Sequence, residues 1–193
     1  MRIIAYRKQF LSDHSSTNYL FYSPEPLDEE AIEEVNGLSS HVDVSDCTAE
    51  ITYHGESADL DQKRLLKFLK HFSVCVKESY DWWDMVIVLD KKKVDDLDLL
   101  EKYKDCGDEA SLSFTKQGDN IILWFQGAHF VYGGFRTMED IARKLGSKIR
   151  DEIHKGKLDC VDVMANYCTG EPSLEGRKLS RTAQSLSRIL EFI

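Results

Sequence analysis

The sequence lacks most of the motifs that assign a chemistry directly. No glycine-rich phosphate-binding loop follows a candidate strand, and none of the cysteines stands in a Cys-x-x-Cys pair, so the common nucleotide-binding and zinc-binding motifs are missing. No apolar run approaches the roughly 18 residues that a membrane-spanning helix needs. The 193 residues include three prolines and no Gly/Ser-rich linker, which leaves no evident domain boundary.

The N-terminus and the cysteines favour a cytoplasmic protein. Residues 1–8 contain neither the apolar core nor the small-residue cleavage site of a secretory signal. The five cysteines are odd in number and irregularly spaced, which is typical of reduced thiols and not of a disulfide framework. We therefore expect a cytoplasmic location, no membrane contact and no cofactor.

The hydrophobic periodicity predicts a single α+β domain that spans residues 1–193. Hydrophobic residues make up 42% of the chain, which is enough for a folded core. The predicted strands are Met1–Phe10, Asn18–Tyr22, Thr48–His54, Met85–Leu89, Phe130–Tyr132 and the hairpin of Leu112–Thr115 with Ile121–Gln126. The predicted helices are Leu27–Val35, Asp59–Lys77, Val94–Tyr103, about 137–154 and about 174–192. Because strands and helices interleave irregularly, we expect a mixed or antiparallel sheet with helices packed on it.

Charge is distributed unevenly along the chain. Between residues 9 and 62 there are thirteen acidic residues and not one Lys or Arg, although the whole chain carries a net charge of -9. Uncompensated carboxylates repel one another unless they are solvated, screened or matched by cations. The acidic N-terminal part, residues 9–62, is therefore the most informative feature of the sequence.

This acidic part predicts a surface that steers a basic protein partner by charge. The candidate partner-binding acids lie on the predicted helix and beyond it: Asp28, Glu29, Glu30, Glu33, Glu34, Asp43 and Asp46. Two alternatives involve no partner: the acids face the basic helix at Lys63–Lys77, or they only keep the domain in solution. We do not expect direct binding of nucleic acid, because the charge has the wrong sign.

Trp82 and Trp83, flanked by Asp81 and Asp84, are further candidate contact residues. An exposed tryptophan is a natural anchor at a protein interface. A buried tryptophan belongs to the core, and burial of at least one of the two is the more common outcome.

One short pattern resembles a catalytic motif. Asp90-Lys91-Lys92 follows the apolar run Met85–Leu89 and resembles the Asp/Glu-x-Lys half of metal-dependent nucleases of the restriction-enzyme type. The resemblance implies a Mg²⁺ site formed by Asp90 and a second carboxylate, with Glu50 as the candidate, and a Lys92 that helps to position the attacking water. It covers about eight residues, and the Pro-Asp pair of that family is missing.

His71 and Cys75 are spaced i, i+4 on the predicted basic helix, and zinc can be held by two such ligands together with two more. No motif supplies the other two, because Cys47, His54, Cys160 and Cys168 are scattered, so we predict no metal site. The sequence thus favours a non-catalytic, immunity-like acidic protein that binds and inhibits a toxin or a nucleic-acid-handling protein. The alternative is a metal-dependent nuclease or phosphodiesterase, and the oligomeric state is not predicted.

Overall fold

The computed structural model describes residues 16–54, 60–79, 82–94, 101–103, 106–130 and 135–190. The strands are β1 (Ser16–Tyr22), β2 (Val42–Val44), β3 (Thr48–His54), β4 (Val74–Ser79), β5 (Trp82–Asp90), β6 (Ser111–Gln117) and β7 (Asn120–Ala128). The helices are α1 (Glu29–Asn36), α2 (Gln62–Phe68), α3 (Met138–Ile141), α4 (Ser147–Ile153), α5 (Asp159–Thr169) and α6 (Arg181–Ile189). A 3₁₀ turn (Lys91–Lys93) follows β5, and a π-helical turn (Ala142–Gly146) joins α3 to α4.

The described strands form one sheet in the order β2-β3-β1-β4-β5-β7-β6. All of their pairings are antiparallel. The short strand β2 lies at one edge of the sheet, and β6 lies at the other. This arrangement confirms the predicted α+β class with an antiparallel sheet and helices packed on it.

Helices cover both faces of the sheet and produce two hydrophobic clusters. Helices α1 and α2 pack on one face, where the rings of Phe21 and Phe68 stack with centroids 4.7 Å apart. Helices α3 to α6 pack on the other face, over residues such as Leu20 and Leu123. Because side chains alternate along a strand, successive residues of Met85–Leu89 enter opposite clusters. The run is therefore apolar without interruption.

Local sequence signals determine several element ends. The Asp28 carboxylate accepts a hydrogen bond from the Ala31 amide at 2.8 Å and caps α1. The Thr137 hydroxyl accepts one from the Asp140 amide at 3.0 Å and caps α3. The predicted β6–β7 hairpin is confirmed, and Gly118 takes the positive φ of +59° in its turn.

The helix predicted at Asp59–Lys77 is wrong beyond Phe68. Helix α2 ends there, and the following residues turn into β4, which lies between β1 and β5. Val74 and Val76 are β-branched residues that fit a pleated sheet. Pairing with strands that are distant in sequence therefore overrides the helical spacing of the apolar residues.

The C-terminal part contains more helices than were predicted. The region about 137–154 forms α3, the π-helical turn and α4, in which Gly146 packs so closely that a Cβ there would lie 2.6 Å from Val74 Cγ1. The helix predicted at about 174–192 begins later, at Arg181, after the N-cap Ser180. Helix α5 was not predicted. Among the described residues, no helix combines the length and apolarity needed to cross a bilayer.

Five predicted elements fall wholly or partly outside the described residues. These are the strand at Met1–Phe10, Asp59 of the helix at Asp59–Lys77, residues 95–100 of the helix at Val94–Tyr103, residues 131–132 of the strand at Phe130–Tyr132, and residues 191–192 of the helix predicted at about 174–192. Phe130 itself forms an isolated bridge with Leu190.

Candidate functional site

The acids predicted on the first helix form an exposed ridge on α1. Asp28 caps the helix, and Glu29, Glu30, Glu33 and Glu34 are exposed along it. Carboxylates in the first turn stabilise the positive end of the helix dipole. The acids of the first turn therefore stabilise α1. No basic residue in its last turn offsets Glu33 and Glu34.

Little within the molecule neutralises this ridge. Glu34 Oε2 lies 3.1 Å from His71 Nε2. In the part of the chain that the structure describes, no Lys or Arg forms an ion pair with the other carboxylates of α1. On α2, Arg64 pairs instead with Asp61 of its own N-cap, at 3.8 Å. Among the described residues, the Glu34–His71 contact is therefore the one ion-pair-type contact that supports the alternative in which the acids face the basic segment Lys63–Lys77.

A second pair of carboxylates lies at the same edge, on the opposite face of the sheet. Asp43 on β2 is directly opposite Glu50 on β3, and such pairs have Cβ atoms about 5 Å apart. Ile51, the neighbour of Glu50, points into the cluster beneath α1, so Glu50 points the other way. Burial raises the pKa of Glu50 above its ordinary value of 4.5, and the charges of Asp43 and Glu139 raise it further. The field around Glu50 is therefore net negative.

Asp46 connects the two groups in the turn between β2 and β3. Its backbone carbonyl accepts a hydrogen bond from the Leu27 amide at 2.7 Å, which fixes the start of α1 beside the end of β2. Its side chain is exposed. We define the acidic edge as the following carboxylates on both sides of the β2 edge: Asp28, Glu29, Glu30, Glu33, Glu34, Asp43, Asp46 and Glu50.

The two tryptophans lie away from the acidic edge. Trp83 is 5% exposed and stacks on Phe130 with ring centroids 5.3 Å apart. Trp82 is 45% exposed. Strand β5 lies four strands from β2, a separation of about 19 Å across the sheet. Trp83 is therefore core, and Trp82 belongs to a different part of the surface from the acidic residues with which it was grouped.

The structure does not bring together the residues of the nuclease resemblance. Glu50 is in register with Met85 across β1 and β4, whereas Asp90 lies at the far end of β5. The two carboxylates are thus separated by about 14 Å across the sheet and about 17 Å along it. The Asp90 carboxylate instead accepts a hydrogen bond from the Lys92 amide at 2.9 Å and caps the 3₁₀ turn. Glu50 and Asp90 cannot ligate one metal ion in this arrangement.

His71 and Cys75 do not share a helix face, because His71 lies in the turn after α2 and Cys75 is buried in β4. Burial raises the pKa of the Cys75 thiol well above its ordinary value. Burial also raises the pKa of Cys168 to about 12. Both thiols are therefore protonated at neutral pH, which is unfavourable for a nucleophile. Within the described ranges, no group of three or more His, Cys, Asp or Glu side chains is arranged to hold a metal ion.

The described residues also line two surface cavities. One, of about 410 Å³, lies over β4, β5 and β7 beside α2, and is lined by Lys77 and Asp84, whose Nζ and Oδ2 atoms are 3.8 Å apart. The other, of about 700 Å³, lies beside Trp82. Its sequence signal is a pair of glycines, Gly107 and Gly127, both with positive φ. Tertiary packing places these two glycines at one cavity, and no local sequence pattern predicts that they meet.

Comparisons with known proteins assign no family. No protein-family model matches this chain, and a comparison with curated proteins finds no match. Among solved structures, aspartokinase III of E. coli in complex with aspartate and ADP aligns with 58% of this chain at 14% identity and a TM-score of 0.27, and the chain spans 28% of that protein. The regulatory subunit of aspartate kinase from Thermus thermophilus aligns with 74% of this chain and 93% of its own length, at 10% identity and a TM-score of 0.25. Both TM-scores are too low for the likeness to carry an argument.

Proposed function

We propose that this protein is a non-catalytic, cytoplasmic binding protein whose acidic edge docks on a basic surface of another protein and blocks it. One observation carries the proposal. The acidic edge places exposed carboxylates on both sides of the β2 edge, and among the described residues its single close contact with a basic side chain is Glu34–His71. The described residues supply no further cation there, and a cationic surface of another molecule would complement the charge.

Repulsion among the carboxylates of the acidic edge destabilises the free protein, and binding of a cationic partner would remove this repulsion. Like charges directly opposite each other in a sheet, such as Asp43 and Glu50, destabilise it by roughly 0.2–1 kcal/mol. A Lys- or Arg-rich partner would relieve this repulsion on docking. Clustered charge of one sign also raises association rates by about 10- to 1,000-fold at low ionic strength. The acidic edge therefore favours fast capture of a basic partner.

The chemistry of the edge also restricts the class of partner. A surface rich in Lys and Arg is the hallmark of proteins that bind nucleic acid through its phosphates. Carboxylates arrayed along a helix and a sheet edge present a comparable density of negative charge. We therefore propose a nucleic-acid-handling protein or a toxin as the target, inhibited in the manner of an immunity protein or a phage-type inhibitor.

The test compares two triple charge reversals that change the net charge equally. Glu29→Lys/Glu30→Lys/Glu33→Lys alters the acidic edge, and Asp119→Lys/Asp151→Lys/Glu175→Lys alters exposed acids elsewhere. The partner is first captured from the native host with tagged wild-type protein, and kon is then measured by stopped flow over a series of NaCl concentrations. We expect the edge variant to reduce kon by at least about tenfold at low salt and to flatten its salt dependence, with less than about a twofold change in the control.

Two outcomes would overturn the proposal. Equal effects of the two triple variants would mean that only the net charge matters and that the edge is not a docking surface. Cleavage of DNA or RNA in the presence of Mg²⁺ or Mn²⁺, abolished by Asp90→Ala, would replace the proposal with an enzymatic function.

A further inference from the structure

The cavity of about 700 Å³ beside Trp82 is a second candidate binding site. Its described walls are the loop of residues 107–110, the end of β7 and the C-terminal end of α5. The indole of Trp82 packs against the His129 ring with centroids 4.3 Å apart, yet the side chain remains 45% exposed. The His129 amide donates a hydrogen bond to the Tyr167 hydroxyl at 2.9 Å. The aromatic surface is therefore both held in place and accessible.

Close backbone packing shapes the wall of the cavity. A Cβ at Gly127 would lie 2.5 Å from the Glu109 carbonyl oxygen, and one at Gly107 would lie 2.1 Å from that of Ala110. The two glycines also have positive φ values of +67° and +89°, which other residues adopt only with strain. The Asp84 carboxylate accepts a hydrogen bond from the Gly127 amide at 2.9 Å and holds the irregular segment of β7. A preformed wall reduces the ordering cost of binding.

The charge of the cavity favours a cationic ligand. Asp108 and Glu109 on the loop wall are exposed, and no Lys or Arg in the described ranges pairs with either of them. The face of an indole attracts cations. A guanidinium group can lie flat on an indole while its N–H groups donate to a carboxylate, whereas an ammonium group is more strongly hydrated and lacks the planar fork. Trp82 and the two carboxylates supply both kinds of contact.

We infer that this cavity binds the guanidinium group of an arginine side chain presented by a partner protein. Charge complementarity selects the cation, and the exposed indole selects the planar group. The site lies about 19 Å across the sheet from the acidic edge. Different residues form the cavity. The inference therefore does not depend on the acidic edge being a docking surface.

The first experiment is an NMR titration of the ¹⁵N-labelled protein with blocked amino acids. The probes are N-acetyl-argininamide, N-acetyl-lysinamide and the uncharged isostere N-acetyl-citrullinamide, and the reporters are the amide signals of Gly127 and His129. We expect saturable shifts with the arginine probe at a Kd on the order of a few millimolar. The lysine probe should bind more weakly, and the citrulline probe should produce no saturable shift.

Matched variants separate this site from a general effect of surface charge. Asp108→Asn/Glu109→Gln should weaken binding of the arginine probe by about tenfold, since it removes both charged acceptors. Trp82→Leu should abolish saturation. Asp151→Asn/Glu175→Gln removes the same charge from exposed acids outside both candidate sites and should leave the Kd unchanged. The neutralised loop variant provides a test even if Trp82→Leu does not fold.

Three results would overturn the inference. Equal binding of the citrulline and arginine probes would show that charge is not recognised. An unchanged Kd in Asp108→Asn/Glu109→Gln would show that the carboxylates take no part. Free L-arginine binding about tenfold more tightly than the blocked probe would assign the cavity to a small molecule instead of a protein side chain.

Discussion

Helices α3 to α6 form the C-terminal helical layer, and its carboxylates differ from those of the acidic edge in how far cations of the same chain neutralise them. Buried Asp162 on α5 accepts hydrogen bonds from the Tyr103 hydroxyl and from Arg177. The Oδ1 atom of Asp140 on α3 lies 2.6 Å from Lys144 Nζ. At the acidic edge, by contrast, the described residues supply the Glu34–His71 contact alone. In the C-terminal layer, Arg177 and Lys144 thus match the charges of Asp162 and Asp140.

The pKa values of two carboxyl groups express the same difference. The hydrogen bond from Lys144 lowers the pKa of Asp140 below its ordinary value of 3.8, and the Arg136 amide contributes in the same direction. Burial and the charge of Asp43 raise the pKa of Glu50 above 4.5. Asp140 and Asp162 in the helical layer are thus matched by cations of the fold, whereas Asp43 and Glu50 at the acidic edge face each other.

The largest expected effect is on the buried acid. Asp162→Ala leaves Tyr103 and Arg177 without their acceptor, and it should lower the free energy of unfolding by about 3 kcal/mol. The matched edge substitution, Glu30→Ala, should change it by less than about 0.5 kcal/mol. Urea denaturation followed by circular dichroism gives both values. A comparable loss in Glu30→Ala would mean that the edge acids are structural, and the contrast between the two regions would fail.

A smaller effect is expected from the Asp140–Lys144 pair. Asp140→Asn should reduce stability at pH 7 by about 1 kcal/mol. Because the folded-state pKa of Asp140 is depressed, its contribution is present above the ordinary value of 3.8 and is lost as the pH falls through the folded value. The difference between the wild type and the variant should therefore disappear on acidification. A difference that stays constant down to low pH would show that the charge of Asp140 is not involved.

The smallest effect has the opposite sign. Asp43→Asn removes the like charge opposite Glu50 and should raise stability at pH 7 by about 0.5 kcal/mol. A raised folded-state pKa favours folding below the unfolded value of 4.5, and this advantage is lost as the pH rises through the folded value. The gain of the variant should therefore fade as the pH falls through the folded-state pKa of Glu50 and should be absent below 4.5. Destabilisation at pH 7 would indicate that Asp43 has a favourable partner.

Local signals were sufficient for much of the fold. Alternation predicted β3, and turn chemistry predicted the hairpin of β6 and β7. The same reasoning failed at β4, where sheet pairing overrode helical spacing. It also missed α5, in which six successive residues, Cys160 to Ala165, are buried. This buried run includes the charged Asp162, so burial in α5 does not follow the apolar stripe by which the other helices were predicted.

The candidate sites were predictable only in part. The acids of α1 followed from composition, since charge and exposure are local properties. The division of the edge over two faces required the register that sets Asp43 opposite Glu50. The cavity beside Trp82 depends on Gly127 of β7 meeting the loop at Gly107, and these residues are brought together by tertiary packing alone.

The most direct test of an unneutralised edge is an NMR titration of the side-chain carboxyl carbons of Glu50 and Asp140 in the free protein. The structure predicts a pKa above 4.5 for Glu50 and below 3.8 for Asp140. A pKa of Glu50 at or below 4.5 would show that partial burial and the charge of Asp43 do not govern this carboxyl group, and this would contradict the account.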